Sequence, residues 1–134
     1  MTQPDPVRDY LRQRGASYSV IANGLRGLVE NWDRVVAEVE AGYDRPLDDY
    51  LNDVDGRQLL ANALELAPDE MRSAYAARIA DADKRIRDVT RPSARCLWGQ
   101  IVADEEGWKP ERNWWYFVLP KAPGPKLAAE IVGL

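Results

Sequence analysis

Two long stretches of the chain repeat apolar residues at the spacing of an amphipathic helix. In residues 19–41 the apolar positions advance in alternating steps of four and three: Ile21, Leu25, Leu28, Trp32, Val35 and Val39. Residues 68–91 open with Pro68 and two acids, and their apolar face is Met71, Tyr75, Ile79, Ala82, Ile86 and Val89. This period places apolar side chains on one side of a helix, and about 23 residues make a rod roughly 35 Å long. Two such rods of matched length are expected to pack together.

Shorter helices are expected around the two rods. Asp5 followed by Pro6 is a typical helix start, because an acidic N-cap and a proline in the first turn both favour it. Pro46 opens a third apolar pattern that breaks at Asp55-Gly56 and resumes as far as Ala67. The pattern predicts either two short helices or one kinked helix between the rods.

The character of the sequence changes after Pro92. Five of the nine prolines lie at or beyond this residue, as do four of the five tryptophans: Trp98, Trp108, Trp114 and Trp115. Residues 95–98 and 114–118 are rich in strand formers, whereas 101–106 and 126–132 are typical of short helices. We therefore predict a mainly α, compact four- or five-helix domain over residues 1–134. Its helical body is 1–91, and a Trp/Pro-rich appendage at 92–134 packs on it as a short β-hairpin or extended element.

The chain contains no histidine. This excludes Ser–His–Asp and Cys–His nucleophile activation within the chain and every histidine-ligated zinc site. Cys96 is the single cysteine, so no intrachain disulfide can form. A lone thiol fits a reducing compartment, and neither a signal-peptide pattern nor a membrane-length apolar run is visible. We expect a cytoplasmic protein without membrane association.

An acidic tract extends from Glu30 to Asp55. It holds nine acids against two arginines, a net charge of −7 in a chain whose total is −4. Residues 71–103 are correspondingly basic, with seven bases against three acids. The two regions could neutralise each other through salt bridges of little energetic weight, or the acidic tract could attract a basic protein partner. The acids assigned to such a partner surface are Asp44, Asp48, Asp49, Asp53 and Asp55.

A metal site is the alternative use of these acids. Asp53-Val54-Asp55-Gly56 has the look of a calcium loop. With Gly56 at the sixth position, however, Leu51 stands at the first and Asn62 at the twelfth, where an EF-hand needs oxygen ligands of acidic type. The EF-hand is excluded. A looser arrangement of Asp49, Asp53 and Asp55 holding Mg²⁺ for phosphate chemistry remains as the alternative metal set.

The aromatic cluster permits either a core or a binding surface. Trp108, Trp114, Trp115 and Arg112 are the candidates for a partner- or ligand-binding surface, since Trp and Arg dominate binding energetics. Single-stranded nucleic acid is a weak candidate because the pI is about 4.9 and nucleic-acid affinity depends on neutralising phosphates. The spacing of the tryptophans also excludes a WW module.

These observations favour a binding protein over an enzyme. The leading hypothesis is a small interaction module, such as an immunity- or antitoxin-type inhibitor, that binds a basic protein partner or forms a homodimer. No cofactor, nucleic acid or membrane is expected. The alternatives are a carboxylate-based, metal-dependent enzyme that handles phosphate, and a small-molecule binder whose pocket lies against Trp108 and Trp114.

Overall fold

The computed structural model describes residues 4–134, and residues 1–3 of the predicted domain lie outside this range. The mainly α class is confirmed. The helices are α1 (Pro6–Gln13), α2 (Tyr18–Glu40), α3 (Leu47–Leu66), α4 (Asp69–Asp88), α5 (Gln100–Glu106) and α6 (Pro125–Glu130). Asp5 caps α1 as expected, since its Oδ1 accepts the Arg8 backbone N–H at 3.0 Å. In the described part of the chain, no helix combines the length and apolar character that a membrane crossing requires.

The two predicted rods are α2 and α4, and they pack together through buried apolar faces. Trp32 of α2 is fully buried, and its Nε1–H donates to Asp83 of α4 at 2.9 Å. Asp33 pairs with Arg78 and Glu40 pairs with Arg85. Both pairs span 45 residues, so α4 runs in the same direction as α2, with α3 returning between them.

A kink divides α2 at Gly24. This residue has φ 56° and ψ −144°, a combination that is essentially restricted to glycine. Two residues before the kink, the Ala22 carbonyl accepts a hydrogen bond from Arg8 Nη2 of α1 at 2.9 Å. This hydrogen bond joins the first turns of α2 to α1.

The expected break at Asp55-Gly56 does not occur, because α3 is one continuous helix across it. A Cβ atom on Gly56 would lie 3.0 Å from Asn31 Nδ2 of α2. The glycine therefore permits a close crossing of α2 and α3 and does not terminate a helix, and this packing offsets its low helix propensity.

The appendage contains a two-stranded antiparallel sheet of β1 (Thr90–Pro92) and β2 (Val118–Pro120), with Arg91 opposite Leu119. The prediction of extended segments at 95–98 and over most of 114–118 is wrong. Trp114–Tyr116 form a 3₁₀ turn instead. Their strand-forming composition reflects burial of large rings, and packing overrides strand propensity.

The appendage is tied to the helical body at the start of α3. Asp44 Oδ1 accepts the Lys126 backbone N–H at the first turn of α6 (2.9 Å), and Glu130 accepts the Leu47 backbone N–H at the first turn of α3. The Gly124 N–H also donates to the Tyr43 carbonyl at 2.8 Å. Leu127 and Ile131 are buried beneath these bonds, so α6 forms part of the domain core.

Candidate functional site

The five acids assigned to a partner surface do not form one face. Asp53 accepts from Arg34 of α2 at 3.1 Å, and from Arg45 and the Tyr43 hydroxyl, which follow α2, at 2.9 and 2.7 Å. Asp55 lies on another side of α3, among aromatic rings. Asp44 binds the first turn of α6. Asp48 and Asp49 lie in the first turn of α3, where acids favour the positive end of the helix dipole.

Arginines of α4 neutralise much of the negative charge of α2. Arg78 contacts Asp33, and Arg85 contacts Glu40 with two of its nitrogens. The hydrogen bond from Arg85 lowers the pKa of Glu40 below its usual value. Of the five acids assigned to the partner surface, only the side chains of Asp48 and Asp49 have no hydrogen bond or ion pair within residues 4–134. A basic protein partner or a homodimer stays a prediction.

The alternative metal set does not converge in the described residues. No group of three or more His, Cys, Asp or Glu side chains between residues 4 and 134 is arranged around a common point. Asp53 and Asp55 are two positions apart on α3, so they project from different sides of the helix. Asp49, Asp53 and Asp55 therefore do not form the metal site that their sequence spacing suggested.

A cavity of about 460 Å³ lies between α3 and the segment from Trp98 to Tyr116. The helical body contributes Arg14, which follows α1, and one face of α3. The appendage contributes aromatic rings together with the carboxylate of Glu106 and the guanidinium of Arg112. The cavity therefore lies between the helical body and the appendage that were predicted from the sequence.

Two of the four clustered tryptophans line this cavity and two do not. Trp108 stacks on Tyr116 with ring centroids 3.8 Å apart and an interplanar angle of 15°. Trp98 is 37% exposed and donates its indole N–H to Asp55 at 3.1 Å. Trp114 and Trp115 lie outside the cavity, under the guanidinium groups of Arg87 and Arg57 at 4.2 and 4.4 Å. Of the predicted aromatic candidates, the structure thus brings Trp108 and Arg112 to one site and places Trp114 and Trp115 elsewhere.

Asp55 lines the cavity with a half-buried carboxylate. Its Oδ1 accepts from the Tyr116 hydroxyl at 2.7 Å and from Trp98 Nε1 at 3.1 Å. Burial raises the pKa of Asp55, although these two hydrogen bonds and the charge of Arg14 act in the opposite direction. A cavity carboxylate with a raised pKa is typical of functional sites.

A separate chain of hydrogen-bonded side-chain amides lines the same cavity. Asn113 donates to Gln58 at 2.8 Å, Gln58 donates to Asn62 at 2.9 Å, and Asn62 donates to the Tyr10 hydroxyl at 3.0 Å. Asn113 Oδ1 in turn accepts the Lys109 backbone N–H at 3.0 Å. These bonds fix the amide orientations before any ligand arrives.

Three polar residues of the cavity were not among the predicted site residues: Gln58, Asn62 and Asn113. A signal for the first two was present, since Asp55, Gln58 and Asn62 are spaced three and four apart on a predicted helix. That spacing places three polar groups on one helix face. No local pattern connects this face to Asn113, which lies 55 positions beyond Gln58.

The Tyr116 hydroxyl provides the first test of this geometry. Tyr116→Phe removes a hydrogen bond that stabilises the ionised form of Asp55, so the pKa of Asp55 is expected to rise further. In such a variant the folded state binds the Asp55 proton more tightly, and stability falls more steeply as the pH rises from the unfolded-state pKa through the raised folded-state pKa. Carboxyl ¹³C titration by NMR measures the pKa directly. Tyr10→Phe is the matched control, because the Tyr10 hydroxyl contacts Asn62 and not Asp55, and an unchanged Asp55 titration in Tyr116→Phe contradicts the assignment.

No protein-family model, curated protein or solved structure matches this chain. A functional proposal therefore depends on the geometry of the cavity.

Proposed function

We propose that the protein binds a small organic molecule in the cavity between α3 and the Trp98–Tyr116 segment. The observation that carries this proposal is the half-buried carboxylate of Asp55, set in the wall of a cavity of about 460 Å³ whose lining is mostly polar and includes the rings of Trp98 and Trp108. A volume of roughly 300–1,000 Å³ and a few oriented polar groups are typical of small-molecule sites.

The polar groups of the cavity support this proposal because they are already positioned. The amides of Asn113, Gln58 and Asn62 hold one another through hydrogen bonds of 2.8–2.9 Å, and Trp98 and Tyr116 hold Asp55. Binding to such a site loses little side-chain entropy, which favours affinity for a compact ligand.

The indole N–H signals of the five tryptophans test the proposal in one spectrum. In a fragment screen by ¹H–¹⁵N NMR, ligands of the cavity are expected to shift the signals of Trp98 and Trp108. The signal of Trp32 serves as an internal control, since this ring is fully buried in the α2–α4 interface. A diverse screen in which no fragment moves Trp98 or Trp108 more than Trp32 refutes the proposal.

Trp108→Ala removes a wall of the cavity, and we expect fragment affinity to fall about tenfold, since aromatic stacking contributes roughly 1–3 kcal/mol per ring. Trp114→Ala is the matched control. It deletes the same side chain six positions along the chain, outside the cavity, and it should leave fragment affinity unchanged.

A further inference from the structure

The hydrogen-bonding pattern of the cavity points to a class of ligand. We propose that the ligand is a flat nitrogen heterocycle with N–H donors side by side on one edge, and that this edge binds Asp55. The inference rests on the proposed small-molecule function of the cavity and specifies what the cavity selects.

Asp55 has acceptor capacity that the protein does not use. A carboxylate has two oxygens, each with two lone pairs. Both hydrogen bonds that Asp55 receives within residues 4–134, from Trp98 and Tyr116, end on Oδ1. Its Oδ2 receives none in the described part of the chain. One oxygen with two lone pairs can accept two neighbouring N–H donors.

The side-chain amide oxygens of the cavity are already engaged. The side-chain oxygens of Asn113, Gln58 and Asn62 accept from the Lys109 backbone, from Asn113 and from Gln58 respectively. Each amide oxygen thus accepts one hydrogen bond. Amide oxygens are also weaker acceptors than a carboxylate. Of the two carboxylates that line the cavity, Glu106 is exposed to solvent and Asp55 is half-buried. Asp55 is therefore the acceptor that a bound ligand would seal from water, and a ligand that leaves it unpaired loses free energy on burial.

The aromatic walls favour a flat ring. Trp108 lines the cavity and is partly exposed, and one of its faces is covered by the stacked ring of Tyr116, which is 1% exposed. The hydrogen bond to Asp55 fixes the ring of Trp98 at the same site. Planar ligands gain stacking energy on such rings without selecting one particular ring system.

The remaining charges favour a neutral donor edge over a full cation or an anion. Arg14 and Arg112 line the cavity together with Glu106, so with Asp55 the four formal charges cancel. A cationic ligand would meet the two guanidinium groups, and an anionic ligand would meet the two carboxylates. Neutral N–H donors bind the carboxylate without either repulsion.

Three matched compounds test separately how the donor edge, the shape and the charge of a ligand contribute to its affinity. 2-Aminoquinazolinone carries an amino group beside a ring N–H, whereas 2-methylquinazolinone has nearly the same outline without the amino donors. 2-Naphthoate is a flat bicyclic anion. Isothermal titration with the full chain is expected to give the amino compound an affinity at least about tenfold above that of the methyl compound, the typical effect of a hydrogen bond to a charged group. 2-Naphthoate should bind more weakly than the amino compound.

Two isosteric variants test whether Asp55 causes the preference for the amino compound. Asp55→Asn keeps the shape and the acceptor for Trp98 and Tyr116 but removes the charge, so the preference for the amino compound should fall about tenfold. Glu105→Gln makes the same chemical change at an exposed carboxylate of α5 that does not line the cavity, and the preference should persist. Thermal unfolding checks that both variants fold, and the comparison of the two quinazolinones on the unmodified chain stands independently of either variant.

The alternative outcomes are distinct. Equal binding of the two quinazolinones, tighter binding of 2-naphthoate, or a preference that survives Asp55→Asn each overturns the donor-edge inference while the cavity remains a ligand site. If none of the three compounds binds, the donor-edge inference also fails, and the fragment screen then decides separately whether the cavity binds other small molecules.

Discussion

Replacing Asp83 by alanine is expected to lower the free energy of unfolding by about 3–5 kcal/mol, the cost of removing one partner of a buried ion pair. Arg57 is 9% exposed at its side chain, and Asp83 is 19% exposed. Arg57 Nε and Nη2 donate to the two Asp83 oxygens at 3.1 and 2.9 Å. Trp32 Nε1 donates to the same carboxylate. The alanine variant therefore leaves a guanidinium and an indole N–H buried without their acceptor.

Asp81→Ala is the matched control for this experiment. Asp81 lies on the same helix two positions earlier, its side chain is 68% exposed, and its only ion pair is at 3.7 Å from Arg85 in the described chain. Its removal should change stability by no more than about 0.5 kcal/mol. Urea unfolding followed by tryptophan fluorescence measures both variants. A loss below about 1 kcal/mol for Asp83→Ala would show that water or another group solvates Arg57, in conflict with a buried pair.

Replacing Trp115 by alanine is expected to cost about 3–5 kcal/mol, the range for deleting a buried tryptophan. Trp115 is 4% exposed and lies against Arg57, whose guanidinium carbon is 4.4 Å from the ring centroid. The same substitution thus opens a cavity and uncovers the Arg57–Asp83 pair.

Trp114→Ala provides the comparison, because it deletes the neighbouring ring of the same size. Trp114 is only half-buried, and its guanidinium neighbour Arg87 is exposed. The expected loss is about 1–2 kcal/mol, from partial burial and one cation–π contact. Equal losses of stability from the two substitutions would contradict the assignment of Trp115 to the buried core and of Trp114 to a partly exposed position.

The helices were predictable because their signals are local. Apolar spacing in residues 19–41 and 68–91 needed no knowledge of the rest of the chain, and α2 and α4 agree with it to within about three residues at each end, as is usual for helix boundaries. The structural roles of the glycines could not be predicted in the same way. Gly24 kinks a helix and Gly56 allows two helices to cross, and only the packing distinguishes these roles.

The site was predictable only in part, since its groups are far apart in sequence. Asp55 was identified for its charge, and Trp108 and Arg112 for their binding chemistry. The contacts that bring these groups into one site join Asp55 to Trp98 and Tyr116, which lie 43 and 61 positions further along the chain. Composition likewise revealed the acidic and basic tracts, but pairing Asp33 with Arg78 requires the relative direction of α2 and α4, which no local pattern specifies.

The position of the cavity also determines when it arises during synthesis. One wall is α3, and the other is the segment from Trp98 to Tyr116. Domains begin to fold from the N-terminus while the ribosome is still adding residues. At the stage when α1 to α4 have emerged, the Asp55 side of the pocket still faces open water. The proposed ligand site therefore cannot form until the segment from Trp98 to Tyr116 has been synthesised and has packed against α3.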